Sequence, residues 1–230
     1  MIGIIGAMGV EIQSLVQMLE NRETVTVSGI EYAKGTIHNR EVVLAVCGIG
    51  KVFAAVCAQT MILKFAPDVI INTGVAGTLT ESLTIGDIAV SENVAQHDMD
   101  TTALGDPAGF LSGINIIKIP ADGKTRQLLV DCIKQLGVNY RTGTICSGDQ
   151  FLASQEVKDR IVKNFGAIAG EMEGGAIGQV CFINNVKFCV LRAISDRADG
   201  SGAENYFEFL EQAAQTAVNV IDRFIKMSGE

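Results

Sequence analysis

Short apolar runs alternate along the chain with segments in which apolar residues recur at helical spacing. The apolar runs predict strands at Ile2–Ala7, Thr24–Val27, Glu31–Ile37, Glu41–Val46, Asp68–Thr73, Asp87–Ala95, Val138–Cys146 and Val186–Ile194. The helical spacing predicts a first helix from Ile12, Leu15, Val16 and Leu19, then helices at Val52–Phe65, Asp122–Leu136, Gln155–Phe165, Gly174–Cys181 and Tyr206–Met227. Because no linker, repeat or charge block interrupts this alternation, we expect one α/β domain over residues 1–230. Its helices should cover both faces of a mixed, largely parallel sheet.

The run from Phe188 to Asp196 is apolar in its interior and polar at its end. A continuous apolar interior is typical of a strand that is buried on both faces. The carboxyl ends of such strands open into the ligand crevice of an α/β sheet, and Arg192, Ser195 and Asp196 stand near that end. Glu173 lies a short distance upstream and brings a second carboxylate towards the same edge. The pattern therefore predicts acid–base chemistry on a small molecule.

Composition excludes several classes of protein. The chain is 48% hydrophobic and 19% charged, and no apolar run is long and pure enough to cross a bilayer. No basic residue precedes Arg22 and the six cysteines form no Cys-x-x-Cys pair, so we expect a cytoplasmic protein with reduced thiols. A net charge of −8 disfavours nucleic acid as a partner. With His38 and His97 as the only histidines, and with His97 interpreted as part of a solvated loop, we expect no metal site.

Two glycine-rich segments superficially resemble phosphate loops. Gly48-Ile-Gly-Lys51 is followed by Val52, where a magnesium-binding Ser or Thr is required. Gly3, Gly6 and Gly9 are spaced by three residues, whereas a dinucleotide fingerprint has spacings of two and then three. Glycines of this kind also serve in tight turns and close packing. We therefore expect no nucleotide cofactor.

Four acidic residues at the ends of predicted elements each have two interpretations. Glu11 and Glu173 stand near helix starts, where the helix dipole favours a carboxylate. Asp196 fits an N-cap, and Asp149 fits a turn. Alternatively, all four face one crevice, because each follows or precedes a different strand or helix.

Several sequence blocks, taken in order, resemble one known family. They are Gly3-Ile-Ile-Gly-Ala-Met8 with Glu11, Gly48-Ile-Gly-Lys51, Asp68-Val-Ile-Ile-Asn-Thr-Gly74, Ser147-Gly-Asp-Gln-Phe151, Glu171-Met-Glu173 and Arg192-Ala-Ile-Ser-Asp196. Over almost the entire chain the sequence resembles the purine nucleoside phosphorylase superfamily, and within it the 5′-methylthioadenosine/S-adenosylhomocysteine nucleosidases. The resemblance implies a three-layer, nucleoside phosphorylase-like fold.

The opening loop favours hydrolysis over phosphorolysis. A phosphorylase must hold a phosphate dianion, which arginine side chains bind well. Residues 6–11 contain no basic side chain and end in the Glu11 carboxylate, so water is the expected nucleophile. Arg192 is then expected to orient Glu11 and the water.

The resemblance also implies roles for the other acidic residues. Asp196 would be the general acid at adenine N7, positioned with the help of Ser195. Glu173 would hold the ribose 2′- and 3′-hydroxyls and stabilise the developing oxocarbenium ion. Glu11 would activate the attacking water. The implied reaction is hydrolysis of methylthioadenosine and S-adenosylhomocysteine, with 5′-deoxyadenosine as a further substrate.

The resemblance implies a set of substrate-binding residues as well. Phe151 would stack on adenine, the Leu152 backbone would bind its Watson–Crick edge, and Met172 would pack against the ribose. The remaining implied residues are Met8, Ile49 and Tyr206 along an apolar wall for the 5′ thioether, and Val75, Ala76 and Gly77 after the predicted strand at residues 68–73. Of these, Val75 would lie near the water. Leu104 corresponds to a residue lent by a neighbouring subunit, which implies a homodimer.

Departures from the family pattern leave alternatives open. Val75 replaces a common serine, Tyr206 replaces a common phenylalanine, and residues 104–119 follow the pattern poorly. The preferred 5′ substituent therefore stays open. A futalosine or aminofutalosine hydrolase, or an adenosine phosphorylase, is an alternative on the same fold. A catalytically silent nucleoside-binding protein is an alternative of another class.

Overall fold

The computed structural model describes the backbone of residues 1–198 and 202–229, and the side chains of all of these except 202–206. The strands are β1 (Ile2–Gly6), β2 (Glu20–Val27), β3 (Ile30–Ile37), β4 (Arg40–Val46), β5 (Val69–Thr78), β6 (Ile88–Gln96), β7 (Ile119–Pro120), β8 (Tyr140–Ser147), β9 (Ala167–Glu171) and β10 (Lys187–Asp196). The helices are α1 (Gly9–Gln17), α2 (Lys51–Phe65), α3 (Gly123–Leu136), α4 (Gln155–Phe165), α5 (Gly174–Ile183) and α6 (Gly202–Met227), with a 3₁₀ turn at Thr102–Leu104. The succession of strands and helices matches the predicted α/β pattern.

The strands form one mixed sheet in the order β10-β6-β8-β9-β5-β1-β4-β3-β2, with β7 paired to β6. Because β10 also pairs with β5, the strands β5, β10, β6, β8 and β9 form a closed ring. The strands β1, β4, β3 and β2 extend from this ring as an open arm. The centre of the sheet is parallel, with β1 between β4 and β5 and with β5 beside β10. The outer arm and the β10–β6 pair are antiparallel.

Helices pack on both sides of the sheet, as predicted. Helices α1, α3 and α6 cover one face, where Ile4, Ile12 and Ile221 belong to one apolar core. Helices α2 and α5 cover the other face around Met61 and Ile177, and α4 packs against β8 and β9. In the part of the chain that the structure describes, no helix is both long and apolar enough to cross a membrane.

Strand β5 continues to Thr78, whereas the sequence predicted that it ends at Thr73. The segment 74–77 remains extended because it pairs with residues 192–196 of β10 and because Gly77 pairs with Gly170 of β9. Strand β9 itself was not predicted, since Ala-Ile-Ala-Gly-Glu is short and has no alternation of apolar and polar residues. Pairing between distant segments thus extends β5 and forms β9, neither of which the local sequence pattern indicates. The same pairing brings the ends of β5, β9 and β10 together.

Candidate active site

A cavity of about 280 Å³ lies where strands β1, β5, β9 and β10 end. Its walls are mostly apolar, and four carboxylates stand among them. The lining residues are Ala7, Met8, Glu11, Ile49, Val75, Ala76, Gly77, Gln150, Phe151, Leu152, Gly170, Glu171, Met172, Glu173, Ser195 and Asp196. A mostly apolar cavity with a few convergent polar groups is typical of a small-molecule site.

Glu11 is the third residue of α1 and is buried. Its Oε2 accepts hydrogen bonds from the amides of Ala7 and Met8 at 2.7 and 2.9 Å, and its Oε1 accepts one from the Val75 amide at 3.2 Å. Burial raises the pKa of Glu11, although the Arg192 charge and the three amides oppose that rise. The carboxylate is thus held rigidly between the β1–α1 loop and β5, and it is more basic than an exposed glutamate. Its local role at the helix start and a role in chemistry are compatible.

Arg192 lies near the midpoint of β10, one of the five strands of the ring, and is 1% exposed. Its Nη2 donates to Asn72 Oδ1 at 2.6 Å and to Glu173 Oε2 at 3.3 Å, and it forms a short ion pair with Glu171. Asn72 is held in turn by donating to the Ile5 carbonyl at 3.0 Å. Arg192 is therefore committed to protein carboxylates, and it stands behind the cavity wall and does not line the cavity.

Glu173 connects this ion pair to the cavity and is 4% exposed. Its Oε1 accepts a hydrogen bond from the Gly50 amide at 2.8 Å, and its Oε2 faces Arg192. Burial raises the pKa of Glu173 to about 7, with Arg192 opposing the rise and Glu171 adding to it. The Glu173 carboxylate therefore binds a proton more readily than an exposed glutamate does, and the Arg192 charge favours its ionised form.

Gly74 makes the approach of Glu11 and Arg192 possible. A Cβ atom at this position would collide with Arg192 Nη1 and Glu11 Oε1, and it would lie 2.9 Å from the Glu11 carboxyl carbon. Real side chains do not tolerate contacts this close, so only glycine leaves room for both charged groups here.

Asp196 ends β10 and is 3% exposed. A β-bulge between Ile194 and Asp196 shifts the register against β5, which brings Ser195 and Asp196 to the cavity together. Ser195 Oγ donates to Asp196 Oδ2 at 3.0 Å, and the Ala198 amide donates to Oδ1 at 2.9 Å. The carboxyl group is fixed in orientation by these two donors.

Apolar and aromatic side chains form the mouth and walls of the cavity. Among the lining residues, Phe151 is 43% exposed and Ile49 is 53% exposed. Leu152 is buried, while Met8 and Met172 are half-buried.

The structure gathers most of the predicted site residues around this one cavity. Those that line it are Glu11, Glu173, Ser195, Asp196, Met8, Ile49, Val75, Ala76, Gly77, Phe151, Leu152 and Met172. Leu104 does not line it and is 83% exposed in the 3₁₀ turn after β6. The side chain of Tyr206 lies outside the described residues.

Sequence reasoning missed the partners of Arg192. Glu171 accepts from Arg192, Ser147 and the amides of Glu173 and Gly174. The signal was present in the Glu171-Met-Glu173 repeat, since alternate residues at a strand end face the same side.

The interpretation of His97 as a solvated residue was wrong. His97 is 8% exposed, because its amide pairs with the Ser147 carbonyl and its ring lies beneath Gly148. The pairing of β6 with β8 extends one residue past Gln96 and carries the ring under that loop.

Comparisons with known proteins identify the family of the chain. A family model described as the phosphorylase superfamily matches residues 1–226. The 5′-methylthioadenosine/S-adenosylhomocysteine nucleosidase of Staphylococcus saprophyticus is 41% identical over 227 residues, which cover 98% of this chain and 99% of the relative. The crystal structure of the enzyme of that name from Neisseria meningitidis, in complex with methylthio-immucillin-A, matches with a TM-score of 0.95, 35% identity and 98% coverage of both chains. The native structure of futalosine hydrolase of Helicobacter pylori strain 26695 matches with a TM-score of 0.94 and 35% identity, covering 98% of this chain and 97% of that one.

Proposed function

The chain belongs to the phosphorylase superfamily, and from that premise we propose that it hydrolyses the N-glycosidic bonds of 5′-methylthioadenosine and S-adenosylhomocysteine. The products are adenine and the 5′-thio-substituted ribose. One observation supports hydrolysis above all: Glu11, Glu173 and Asp196 converge on a cavity in which none of the described lining residues is lysine, arginine or histidine. A phosphate dianion would meet carboxylates there without a cationic partner, whereas water would meet a base.

Asp196 is the general acid in this proposal. Adenine is a poor leaving group as an anion, so a proton delivered to N7 while the C1′–N9 bond breaks lowers the barrier. The Ser195 hydroxyl and the Ala198 amide hold the Asp196 carboxyl group in one orientation. Fixed donors of this kind reduce the reorganisation that proton transfer requires.

Glu11 activates the water. The water oxygen bonds to C1′, its proton passes to Glu11, and the electron pair of the broken C1′–N9 bond leaves with adenine. The raised pKa of Glu11 suits a base, because burial makes its carboxylate a better proton acceptor than an exposed one. Arg192 acts on this step from behind the wall through its charge and through Glu173.

Glu173 binds the ribose hydroxyls and stabilises positive charge on the ring. It stands between the Gly50 amide and Arg192, so its carboxylate is held in place before substrate arrives. A negative group in a water-excluded site acts strongly on an oxocarbenium-like transition state.

The apolar wall accounts for the thioether. Met8, Ile49 and Val75 line the cavity, and these side chains offer a 5′-hydroxyl no partner stronger than the Met8 sulfur, which is a weak acceptor. A methylthio or homocysteinyl group gains from burial against such a wall. The similarity to a futalosine hydrolase makes aminofutalosine the alternative substrate.

We also propose that the enzyme is a cytoplasmic homodimer in which Leu104 reaches the partner's site. In support of the dimer, Leu104, Val52 and Leu63 are large apolar side chains that are 74% exposed or more. Phe182 and Ile183 add exposed apolar surface at the end of α5, which packs against α2. Exposed apolar patches of this kind mark interfaces. The cytoplasmic location is supported by the six cysteines, which are all free thiols, because thiols stay reduced in the cytoplasm.

Adenine release measured with and without inorganic phosphate tests the proposed reaction. We expect equal rates in both and 5-thioribose products. A requirement for phosphate would show that the enzyme is a phosphorylase. A panel of methylthioadenosine, S-adenosylhomocysteine, 5′-deoxyadenosine and aminofutalosine ranks the substrates, and faster turnover of aminofutalosine would select the alternative.

A further inference from the structure

Helix α2 begins without a cap of its own. Its N-cap residue is Gly50, and its first turn contains no acidic side chain. The first amides of a helix have no partner within it, so they must bond elsewhere. In this protein they bond to carboxylates from two other parts of the chain.

Asp149, in the loop between β8 and α4, provides one of these carboxylates. Its Oδ1 accepts from the Lys51 amide at 2.7 Å, and its own amide donates to Asp98 Oδ2 at 2.9 Å. Lys51 Nζ closes a three-residue ring by donating to Asp98 Oδ1 at 2.7 Å. The loop before α4, the loop after β6 and the start of α2 are thereby joined.

The second carboxylate is Glu173, which accepts from the Gly50 amide at 2.8 Å. The Gly50 amide belongs to the peptide unit before the one that Asp149 binds, and Asp149 Oδ1 packs so closely on Gly50 that a Cβ there would lie 3.0 Å from it. Asp149 therefore holds the Gly50 Cα, and through it limits where the Gly50 amide can point. Gly50 has a φ of +100°, a conformation that only glycine adopts freely. Because glycine also adopts many other conformations, the hydrogen bonds around Gly50 are needed to hold it in this one.

We propose that Asp149 is a positioning residue that caps α2 from the Phe151 loop and thereby fixes the Gly50 amide against Glu173. Because Ile49 precedes Gly50 and Phe151 follows Asp149 in the chain, the same bond ties together two segments that supply lining residues. This inference rests on the proposed hydrolysis and adds a residue that does not line the cavity itself.

The test compares Asp149→Ala with Asp149→Asn, which keeps an oxygen acceptor for the Lys51 amide. Asp159→Ala is the matched control, because Asp159 is an exposed aspartate on the following helix that bonds only locally to Gln155. We expect Asp149→Ala to lower kcat/KM for methylthioadenosine about fivefold, mainly through KM, which is the equivalent of an N-cap worth about 1 kcal/mol. Asp149→Asn and the control should stay within about twofold of wild type.

The pH profile separates positioning from general damage. Burial raises the pKa of Glu173 most strongly; Arg192 and the Gly50 hydrogen bond lower it, and Glu171 and Glu11 raise it further. Loss of the Gly50 bond in Asp149→Ala should therefore move the acid limb of kcat/KM to higher pH, and Asp149→Asn should leave it in place. The melting temperature of Asp149→Ala should stay within about 5 °C of wild type.

Three outcomes overturn the inference: wild-type KM and pH profile in Asp149→Ala, equal damage in Asp149→Asn and Asp149→Ala, or failure of Asp149→Ala to fold. Absence of adenine release by the wild-type enzyme would instead overturn the proposed function, so the two failures are distinguishable.

Discussion

Replacing Glu173 by glutamine tests the role of its negative charge, because the substitution removes the charge and nearly preserves the shape of the side chain. Glutamine is nearly isosteric and keeps an oxygen that can accept from the Gly50 amide. It removes a negative charge that is 4% exposed and lies 3.3 Å from Arg192. The fold should therefore persist while the electrostatics change.

The pKa of Glu173 gives the size and sign of the effect on stability. Burial raises this pKa from 4.5 to about 7, so the folded protein holds the proton more tightly than the unfolded chain does. The stabilisation from this proton is fully present below about pH 4.5 and is lost as the pH rises through about 7. At about 1.4 kcal/mol per pKa unit, the wild-type free energy of unfolding falls by about 3 kcal/mol over this pH range. The Glu173→Gln variant has no carboxyl group at this position and should not show this fall.

Urea unfolding at pH 4.5, 7 and 8.5 and at one protein concentration measures this effect. We expect the free energy of unfolding of Glu173→Gln, relative to wild type, to rise by about 3 kcal/mol from pH 4.5 to 8.5. Glu156→Gln makes the same chemical change on an exposed first turn of α4 and should show no such trend. A difference between Glu173→Gln and wild type that does not change with pH would refute the account of Glu173. In the same variant, hydrolysis should fall about 10²-fold or more, because the charge beneath the developing cation is gone.

Three further substitutions test the other groups of the site. Asp196→Asn should bind methylthioadenosine in calorimetry but lose about 10²–10⁴-fold in adenine release, and near-normal turnover would remove Asp196 from the role of general acid. Glu11→Gln should keep the bonds from the Ala7 and Met8 amides through its oxygen, melt near the wild-type temperature and lose about 10²-fold or more in kcat; retained turnover would mean that another group activates the water. Gly74→Ala should cost about 1–3 kcal/mol in thermal unfolding and reduce activity, because the added methyl group separates Glu11 from Arg192; an unchanged melting temperature would contradict the packing that the structure gives.

Much of this architecture follows from local pattern. The predicted strand at Val186–Ile194 is buried from Phe188 onward, in agreement with its apolar run. Of the four acidic residues at strand and helix ends, Glu11, Glu173 and Asp196 line one cavity, whereas Asp149 does not. Each of these features depends on residues close together in the chain or on the general rule that strand ends meet at one edge.

The remainder depends on contacts that no local pattern encodes. The closure of the ring requires β5 and β10 to pair across more than a hundred intervening residues, and their register is set by that pairing. The different contacts of Glu171 and Glu173 depend on where β9 ends. Glu171 accepts hydrogen bonds from Arg192 and Ser147, whereas Glu173 accepts one from the Gly50 amide. From the sequence we expected Arg192 to orient Glu11 and the water. In the structure, Arg192 donates its hydrogen bonds to Asn72, Glu171 and Glu173.

The closed ring has a consequence for synthesis on the ribosome. Strand β10 is the last strand of the chain to be translated, yet it lies between β5 and β6 and supplies Arg192. A nascent chain that stops before residue 187 therefore exposes one edge of β5 and one of β6, and leaves Glu171 and Glu173 without their cation. Contacts between such distant segments slow folding, and unpaired edges promote aggregation. Truncated translation products should accordingly collect as aggregates or be degraded, and the catalytic centre should become complete only after β10, through Asp196, has emerged.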